Sequence, residues 1–334
     1  MRAVRAIIHH FKCENIHDLR CYTPGSWRKR MNADLDALAT ALYVTVDDML
    51  ITNPNLVPER PEIGIAPRLS DAELVTLSVI QALLGYTSEA RFIRHAHNEL
   101  RHLFPYIPDR GGYNKRLRGA VAMLKGVIRL LATSCISWSD DIWLLDSTPV
   151  ECARSRETVK RSNLAGAAGY GYCASHSRWF WGFRLHLIAT PSGLPIAFAL
   201  ASPKDDERVV ARDMLEIDPT LLAQRHGQTV IADKGYRSAE FETMLNANGA
   251  TLIRPSVGKE PVRPGQRFLK PLRQIIESIN QTLKAQLDLE RHAARSFAGI
   301  TARVLQRLLA LTAAIWHNEN ANEPVLRSLT AYDH

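Results

Sequence analysis

No two cysteines stand at CxxC spacing, and the five in this chain of 334 residues (Cys13, Cys21, Cys135, Cys152 and Cys173) are scattered and odd in number. That argues against a disulfide framework and predicts free thiols in a reducing compartment. Long apolar runs are missing too. The longest, around Leu305–Trp316, is interrupted by Gln306, Arg307 and Thr312, so it predicts a buried helix and no membrane partner. Arg2 and Arg5 are not followed by a clean apolar core, which argues against a signal peptide and makes the cytoplasm the expected location. Neither an internal repeat nor a low-complexity segment is visible. Acid is in short supply: 34 Asp and Glu face 42 Lys and Arg, a formal net charge of +8. The imbalance favours a polyanionic partner without proving one, because charge governs association rather than fold. What is present, 46% hydrophobic and 23% charged residues, is ordinary for one large globular domain or two modest ones.

Residues 1–30 are rich in His, Cys and Arg and predict a basic, poorly ordered tail. His9, Cys13, His17 and Cys21 fall at four-residue steps, which share one helix face. Zinc sites pair their ligands at other spacings, so the tail is the preferred reading. Residues 31–136 predict a small all-helical domain. Leu35, Leu38, Ala39 and Leu42 mark a helix over 34–50, and four prolines between 53 and 67 mark a linker. Ser70 and Glu73 form a capping-box pattern with Leu69 and Leu74 as its hydrophobic staple. Leu74, Leu77, Ile80, Leu83 and Leu84 then give one apolar face, and Gly85 ends the helix. Further helices are expected at Glu89–Arg101 and Asn114–Ala132. The first turn of the latter carries Lys115, Arg116 and Arg118, readable as a solvated face or as a DNA contact.

From residue 141 the pattern turns to strands. Ile142–Leu145 is a short apolar run that ends in Asp146. Trp179–Ala189 alternates Trp181, Phe183, Leu185 and Leu187 with Gly182, Arg184 and His186, and Pro195–Leu200 returns after a turn. Asp205-Asp206-Glu207 opens a helix to Ile217, with acids where the helix dipole favours them. A strand at Thr229–Ala232 ends in Asp233, a helix covers Ala239–Asn246, and a strand covers Thr251–Ile253. A basic, proline-containing loop leads from Arg254 to Pro271. A helix from Leu272 to Leu287 carries Glu277, another over Ile300–His317 closes a domain spanning 137–322, and residues 323–334 form a tail.

An acid just after an apolar strand is held where a rigid scaffold meets solvent, and hard divalent ions take carboxylate oxygens. Three acids from separate elements, Asp146, Asp233 and Glu277, can clamp an ion pair that stabilises both oxygens of an in-line phosphoryl displacement. Each alone is more often a turn former or cap. Arg273, Glu277 and Lys284 lie along one helix face at i, i+4 and i+11, as a surface ion-pair ladder or as a metal ligand flanked by phosphate-binding cations. Ile275, Ile276 and Ile279 put Glu277 at the border of the core. His186 shares a strand face with Arg184 and reads as a structural residue rather than a catalytic one.

The strings Leu145-Asp146-Ser147, Trp181-Gly182-Phe183-Arg184-Leu185-His186, Asp233-Lys234-Gly235-Tyr236 and Arg273-x₃-Glu277-x₆-Lys284 resemble those of DDE transposases of bacterial insertion sequences, in particular the group numbered insertion-sequence family 982. The resemblance covers residues 31–320. It implies an α/β fold: a ribonuclease H-like mixed sheet with flanking helices after the small all-helical N-terminal domain. It implies metal-dependent cleavage of double-stranded DNA at terminal inverted repeats and strand transfer into target DNA by a homo-oligomer at the nucleoid. Asp146, Asp233 and Glu277 would be catalytic and would ligate two Mg²⁺ ions, with Mn²⁺ as a substitute. Lys115, Arg116, Arg118, Lys234, Lys270, Arg273 and Lys284 would contact DNA. Related transposases often carry a Tyr three residues before the Arg; Lys270 stands there, able to meet a phosphate but not to stack on a base. The short loop before the Glu277 helix leaves no room for the β-rich insertion of some relatives. Nine Lys or Arg against four Asp or Glu over residues 254–295, with Arg154, Arg156, Lys160 and Arg161, suit a phosphate backbone. The same carboxylates would serve a ribonuclease H-like nuclease without strand transfer, and a catalytically silent DNA-binding protein is the remaining alternative.

Overall fold

The computed structural model describes residues 24–329, apart from 61–62, 64–65, 154, 174–176, 224, 226, 267–268, 324 and 326–328. The expected N-terminal tail lies outside these residues up to position 23, as do the steps from His9 to Cys21, Arg154, and most of the C-terminal tail.

Helix α1 (Pro24–Thr52) starts ahead of the position where its apolar periodicity begins. Leu35, Leu38, Ala39, Leu42, Val46 and Leu50 form its buried stripe. Helix α2 (Asp71–Leu83) starts at the expected capping box. Ser70 Oγ accepts from the Glu73 amide at 3.0 Å, and the Glu73 carboxylate accepts from the Ser70 amide at 2.5 Å. From Leu74 to Leu83 every residue of α2 is buried, so it is a central helix rather than one with a single apolar face. Helix α3 spans Glu89–Glu99. The single helix expected at Asn114–Ala132 is two: α4 (Arg110–Gly119) and α5 (Val121–Thr133), broken at Ala120. Asp109 caps α4 by accepting from the Gly112 amide at 2.5 Å. Lys115, Arg116 and Arg118 therefore sit in the body of a helix, not in its first turn.

Strand β1 (Ile142–Ala153) is followed by a short helix α6 (Arg156–Lys160) and strands β2 (Gly169–Cys173), β3 (Arg178–Ala189) and β4 (Pro195–Ala201). Helices α7 (Glu207–Ile217) and α8 (Thr220–Ala223), strand β5 (Thr229–Ile231), helix α9 (Ala239–Ala247) and strand β6 (Thr251–Ile253) come next. Helix α10 (Leu269–Gln281) and helix α11 (Phe297–Asn320) complete the order. The sheet runs β2-β3-β1-β5-β6, with β4 also on β3. Strand β3 is antiparallel to β1, β2 and β4, whereas β5 is parallel to β1 and β6 to β5. This is the ribonuclease H-like mixed sheet that the motif strings imply.

Alternation sorts the sheet's two faces. Trp143, Leu145, Ile188, Val230 and Leu252 pack under α7, α8 and α9. Ile142, Leu144, Phe183, Leu185, Leu187 and Ile231 join the larger core with α10, α11 and the N-terminal helices. Gly182 in β3 is fixed by close approach: a Cβ there would lie 2.1 Å from the Val150 carbonyl oxygen, beside the bulge in β1.

Helix α11 is long and apolar enough to cross a membrane, yet 83% of that stretch is buried inside the protein. It packs on α2, α5 and α1 as well as on the sheet side. Its last turn reaches back to the junction between helices and sheet, where Glu319 accepts from the Ile136 amide at 2.6 Å and the Ser137 amide at 3.3 Å. One hydrophobic core runs from Leu35 to Leu329, so the boundary drawn at residue 136 is not a gap between cores, and the closing helix belongs to both halves.

Candidate active site

Asp146 does not end its strand. Strand β1 continues through Ser147, Thr148 and Pro149 because β3 stays paired with it, Asp146 opposite Leu187 and Pro149 opposite Arg184. The other edge of β1 is paired by β5 only as far as Leu144, opposite Ile231. Asp146 lies just beyond the point where that edge becomes free, and a proline without an amide is tolerated there. Asp233 follows the end of β5 as expected. Its Oδ1 accepts from the Gly235 amide at 2.6 Å, capping a turn over Lys234–Tyr236. A Cβ on residue 235 would meet Asp233 Oδ1 at 2.8 Å, so the Gly beside the acid keeps that carboxylate in place. Glu277 is exposed on α10, whose opposite face buries Leu272, Ile275, Ile276 and Ile279.

These three acids open into one cleft of about 590 Å³ at the sheet's edge. A fourth carboxylate is there that sequence reasoning treats only as a helix-start acid: Glu207, the first residue of α7. Its Oε1 accepts from Arg184 Nη1 at 2.6 Å and from Ser147 Oγ at 3.0 Å. Arg184 also donates to the Tyr172 carbonyl at 2.8 Å, tying β2 to the cleft. Asp206 already caps α7, so a third acid in Asp205-Asp206-Glu207 exceeds what the helix needs, and that is the available signal. Asn280, also unforeseen, donates from Nδ2 to Asp146 Oδ2 at 2.7 Å, while the Ser147 amide donates to Oδ1 at 2.8 Å.

Burial, and then the nearby carboxylates of Asp233 and Glu207, push the Asp146 carboxyl up to about 6 against the pull of the Ser147 amide and Asn280. Burial also holds the Tyr236 phenol well above its ordinary value, with Glu207, Asp146 and Asp233 adding to the shift. Asp146, Asp233 and Glu207 thus form a crowded group of like charges. Glu277 lines the same cleft but is not among the charges that move Asp146. Among the described residues no three His, Cys, Asp or Glu side chains are grouped closely enough to hold a metal ion together. The donor set nonetheless fits a hard divalent cation: the acids offer only oxygen ligands, and a cation would relieve the repulsion that raises Asp146.

The expected basic residues separate. Arg273 and Lys284 line the cleft. Arg273 is exposed, and Lys284 Nζ lies 3.9 Å from Glu290. Helix α10 passes into a π-helical turn at Thr282–Gln286, which displaces Lys284 from the face expected of a regular helix. Lys234 and Lys270 are exposed but do not line the cleft. Lys115 and Arg118 are exposed on α4, away from it. Arg116 is engaged within the fold, donating to the Leu69 carbonyl and, at 2.6 Å, to Asp71. Not all of the basic loop faces outward either: Arg254 is buried between Glu242 and Glu260, and Arg263 pairs with Glu242 at 2.7 Å. Among the described residues of that loop there is no strand, in keeping with the absence of a β-rich insertion.

His186 is fully buried, with no hydrogen-bond partner on either ring nitrogen among the described residues, and burial followed by Arg184 lowers it to about 4. It does not line the cleft, and its burial has a measurable signature. Neutral inside and readily protonated once unfolded, it favours the unfolded chain as pH falls from about 6.5 towards 4. At pH 5 that share amounts to roughly 2 kcal/mol. His186→Leu is expected to leave the melting temperature near wild type at pH 7.5 and to flatten its decline between pH 6.5 and 4.5. An unchanged decline would assign the acid sensitivity elsewhere.

Residues 137–313, more than half of the chain, match the family model described as "Transposase DDE domain". No curated protein is similar enough to the chain to count as a match.

Proposed function

The chain belongs to the transposase DDE domain family, and on that premise we propose that it is a DNA transposase cutting at the ends of an insertion sequence and joining them to target DNA. The family acts in DNA transposition by polynucleotidyl transfer and uses divalent metal ions. The observation that carries the finer reading is the single cleft into which Asp146, Asp233, Glu277 and Glu207 open beside Arg273 and Lys284.

In this reading Asp146, Asp233 and Glu277 would hold two Mg²⁺ ions, or Mn²⁺ in their place. When bound, such ions neutralise charge at the reacting phosphorus and align the attacking and leaving oxygens. Glu207 is in reach of the same acids, but Arg184 and Ser147 already occupy one of its oxygens, so it fixes the position of β1 relative to α7. Asn280 orients the Asp146 carboxylate. Arg273 and Lys284 meet backbone phosphates and draw the strand into the cleft. Two displacements follow, each exchanging one oxygen for another at phosphorus. Water first releases a 3′-hydroxyl at the element's end, and that hydroxyl then attacks a target phosphodiester. Positioning and charge neutralisation supply the rate, with no protein-bound intermediate. The motif strings favour insertion-sequence family 982 within the larger family. Joining two ends favours a homo-oligomer on DNA, acting at the nucleoid.

The test is to incubate the full chain with labelled duplexes carrying the element's own terminal sequences, in Mg²⁺ and in chelator. Cut and joined products that appear only with metal support the proposal. Cutting without joined product would make the protein a nuclease. DNA binding without either would make it a silent binding protein.

A further inference from the structure

A second groove, of about 580 Å³, lies between the start of α3, the face of α4 and the start of α11. Arg110, Arg118, Arg295 and Arg303 line it, with Glu89 as the opposing acid. Glu89 is already committed: it pairs with the buried Arg303 and accepts from Asn114 Nδ2 at 2.6 Å. Arg110, Arg118 and Arg295 are exposed, and among the described residues none of them has a carboxylate partner. Three uncompensated guanidinium groups around one concavity attract a multiply charged anion.

Two further features point the same way. Ser88 caps α3 and Ser296 caps α11, so the positive ends of both helices meet at the groove. Ala293, which also lines it, is held at φ +53°, in the left-handed region that residues other than glycine rarely adopt. The turn that presents Arg295 is thus kept in an unfavourable conformation by its surroundings.

The groove is also tied to the catalytic strand. His292 Nε2 lies 3.0 Å from the Glu151 carbonyl of β1. From Asp146 to Glu151 the strand advances about 16 Å. A duplex rises about 3.4 Å per base pair, so that length is about five base pairs.

We propose that this groove is a second DNA contact, in which Arg110, Arg118 and Arg295 grip the phosphodiester backbone of the duplex flanking the cleavage point. The proposal rests on the transposase reading and divides the expected basic face. Arg118 belongs to the contact, Arg116 serves the fold, and Lys115 stands outside the groove. Backbone contacts carry position and affinity but no base sequence. The grip is therefore equal for terminal and unrelated duplexes.

Fluorescence anisotropy of labelled terminal and unrelated duplexes, titrated with the full chain in chelator over a series of salt concentrations, tests it. The variant R110A/R118A/R295A is expected to lower the slope of log affinity against log salt by about 2 to 3, the value for three lost phosphate contacts. Both duplexes should be affected alike. The corresponding Arg→Lys variant keeps the charge and is expected to restore most of the slope, which a merely structural role would not predict. All three side chains are exposed, and circular dichroism confirms that each variant is folded. A wild-type slope in the alanine variant would overturn the groove while leaving the cleft reading intact, since R273A/K284A would still weaken binding. Stabilisation by inorganic phosphate that disappears in the alanine variant, with duplex binding unchanged, would overturn it in favour of a small-anion site. Failure of the wild type to bind either duplex would overturn both this proposal and the transposase reading.

Discussion

Asp146→Asn is expected to lower metal-dependent cutting and joining by about a hundredfold to a thousandfold, the scale for removing one preorganised charge at a reacting centre. The same change is expected to make the metal-free protein more stable. Asp146 is raised to about 6 because it is buried beside Asp233 and Glu207. An unfolded Asp ionises near 3.9, so the native chain resists losing this proton. The resulting penalty is absent below about pH 4, grows as pH rises, and is complete above about pH 6. Allowing for the part of the carboxylate that solvent reaches, it is of the order of 1–2 kcal/mol at neutral pH. The amide that replaces the carboxylate carries no charge and keeps an oxygen for one of its two donors, Asn280 or the Ser147 amide, a loss smaller than the relief of the buried charge. The melting curves of wild type and variant should therefore coincide near pH 4 and separate towards pH 7, the variant melting higher. Mg²⁺ should narrow that gap by stabilising the wild type alone. A variant less stable than wild type at pH 7 would show that the acids are not crowded. Undiminished activity would remove Asp146 from the catalytic site.

Arg254→Ala is expected to cost about 1.5–3 kcal/mol, the range for losing hydrogen bonds between charged groups. Arg254 is 3% exposed in its side chain. It donates to Glu242 of α9 at 3.0 Å and to both oxygens of Glu260 at 2.9 and 3.2 Å. Removing the guanidinium takes away the one cation that the two carboxylates share, leaves Glu242 to Arg263 and Glu260 to Arg237, and frees the loop that leads into α10. Thermal melting measures the loss. Adding Glu242→Gln and Glu260→Gln to the variant should not recover it, because Arg263 and Arg237 still neutralise those acids and would lose their partners. A loss below about 1 kcal/mol would mean that solvent reaches the site and screens it. Because Glu277 stands on α10, cleavage should fall together with stability.

The contrast between those two residues shows what a sequence discloses. Asp146 and Asp233 stand out because each follows a run of apolar residues, and the strands behind them are continuous enough to be seen. The helix of Glu277 is visible through Ile275, Ile276 and Ile279, and the start of α2 through Ser70 and Glu73. Arg254 falls among the DNA-facing basic residues because a tally of charge in a loop does not separate paired from free. Glu207 is hidden for a related reason: an acid at a helix start looks the same whether it serves the helix or a neighbouring site. Strand β2 leaves no signal because glycines stand at its inward positions. At Gly171 a Cβ would fall 2.5 Å from Pro203 and 2.7 Å from Phe180, so the packing requires the residue that erases the apolar alternation. Asp146 reads as a strand's end because Ser147-Thr148-Pro149 resembles a turn, whereas pairing with β3 alone sustains the strand. The break at Ala120 is invisible because the apolar periodicity runs on across it.

Helix α11 gives the protein a built-in order of assembly. The sheet with Asp146 and Asp233 leaves the ribosome before α11, so the surface that α11 covers stays open until residues 297–320 are made. At about 5–20 residues per second, the interval between synthesis of Asp233 and of Trp316 is several seconds. A chain stopped before Phe297 has both acids and no lid for its core. Interrupted products would therefore expose the apolar surface that α11 covers, which favours aggregation or proteolysis.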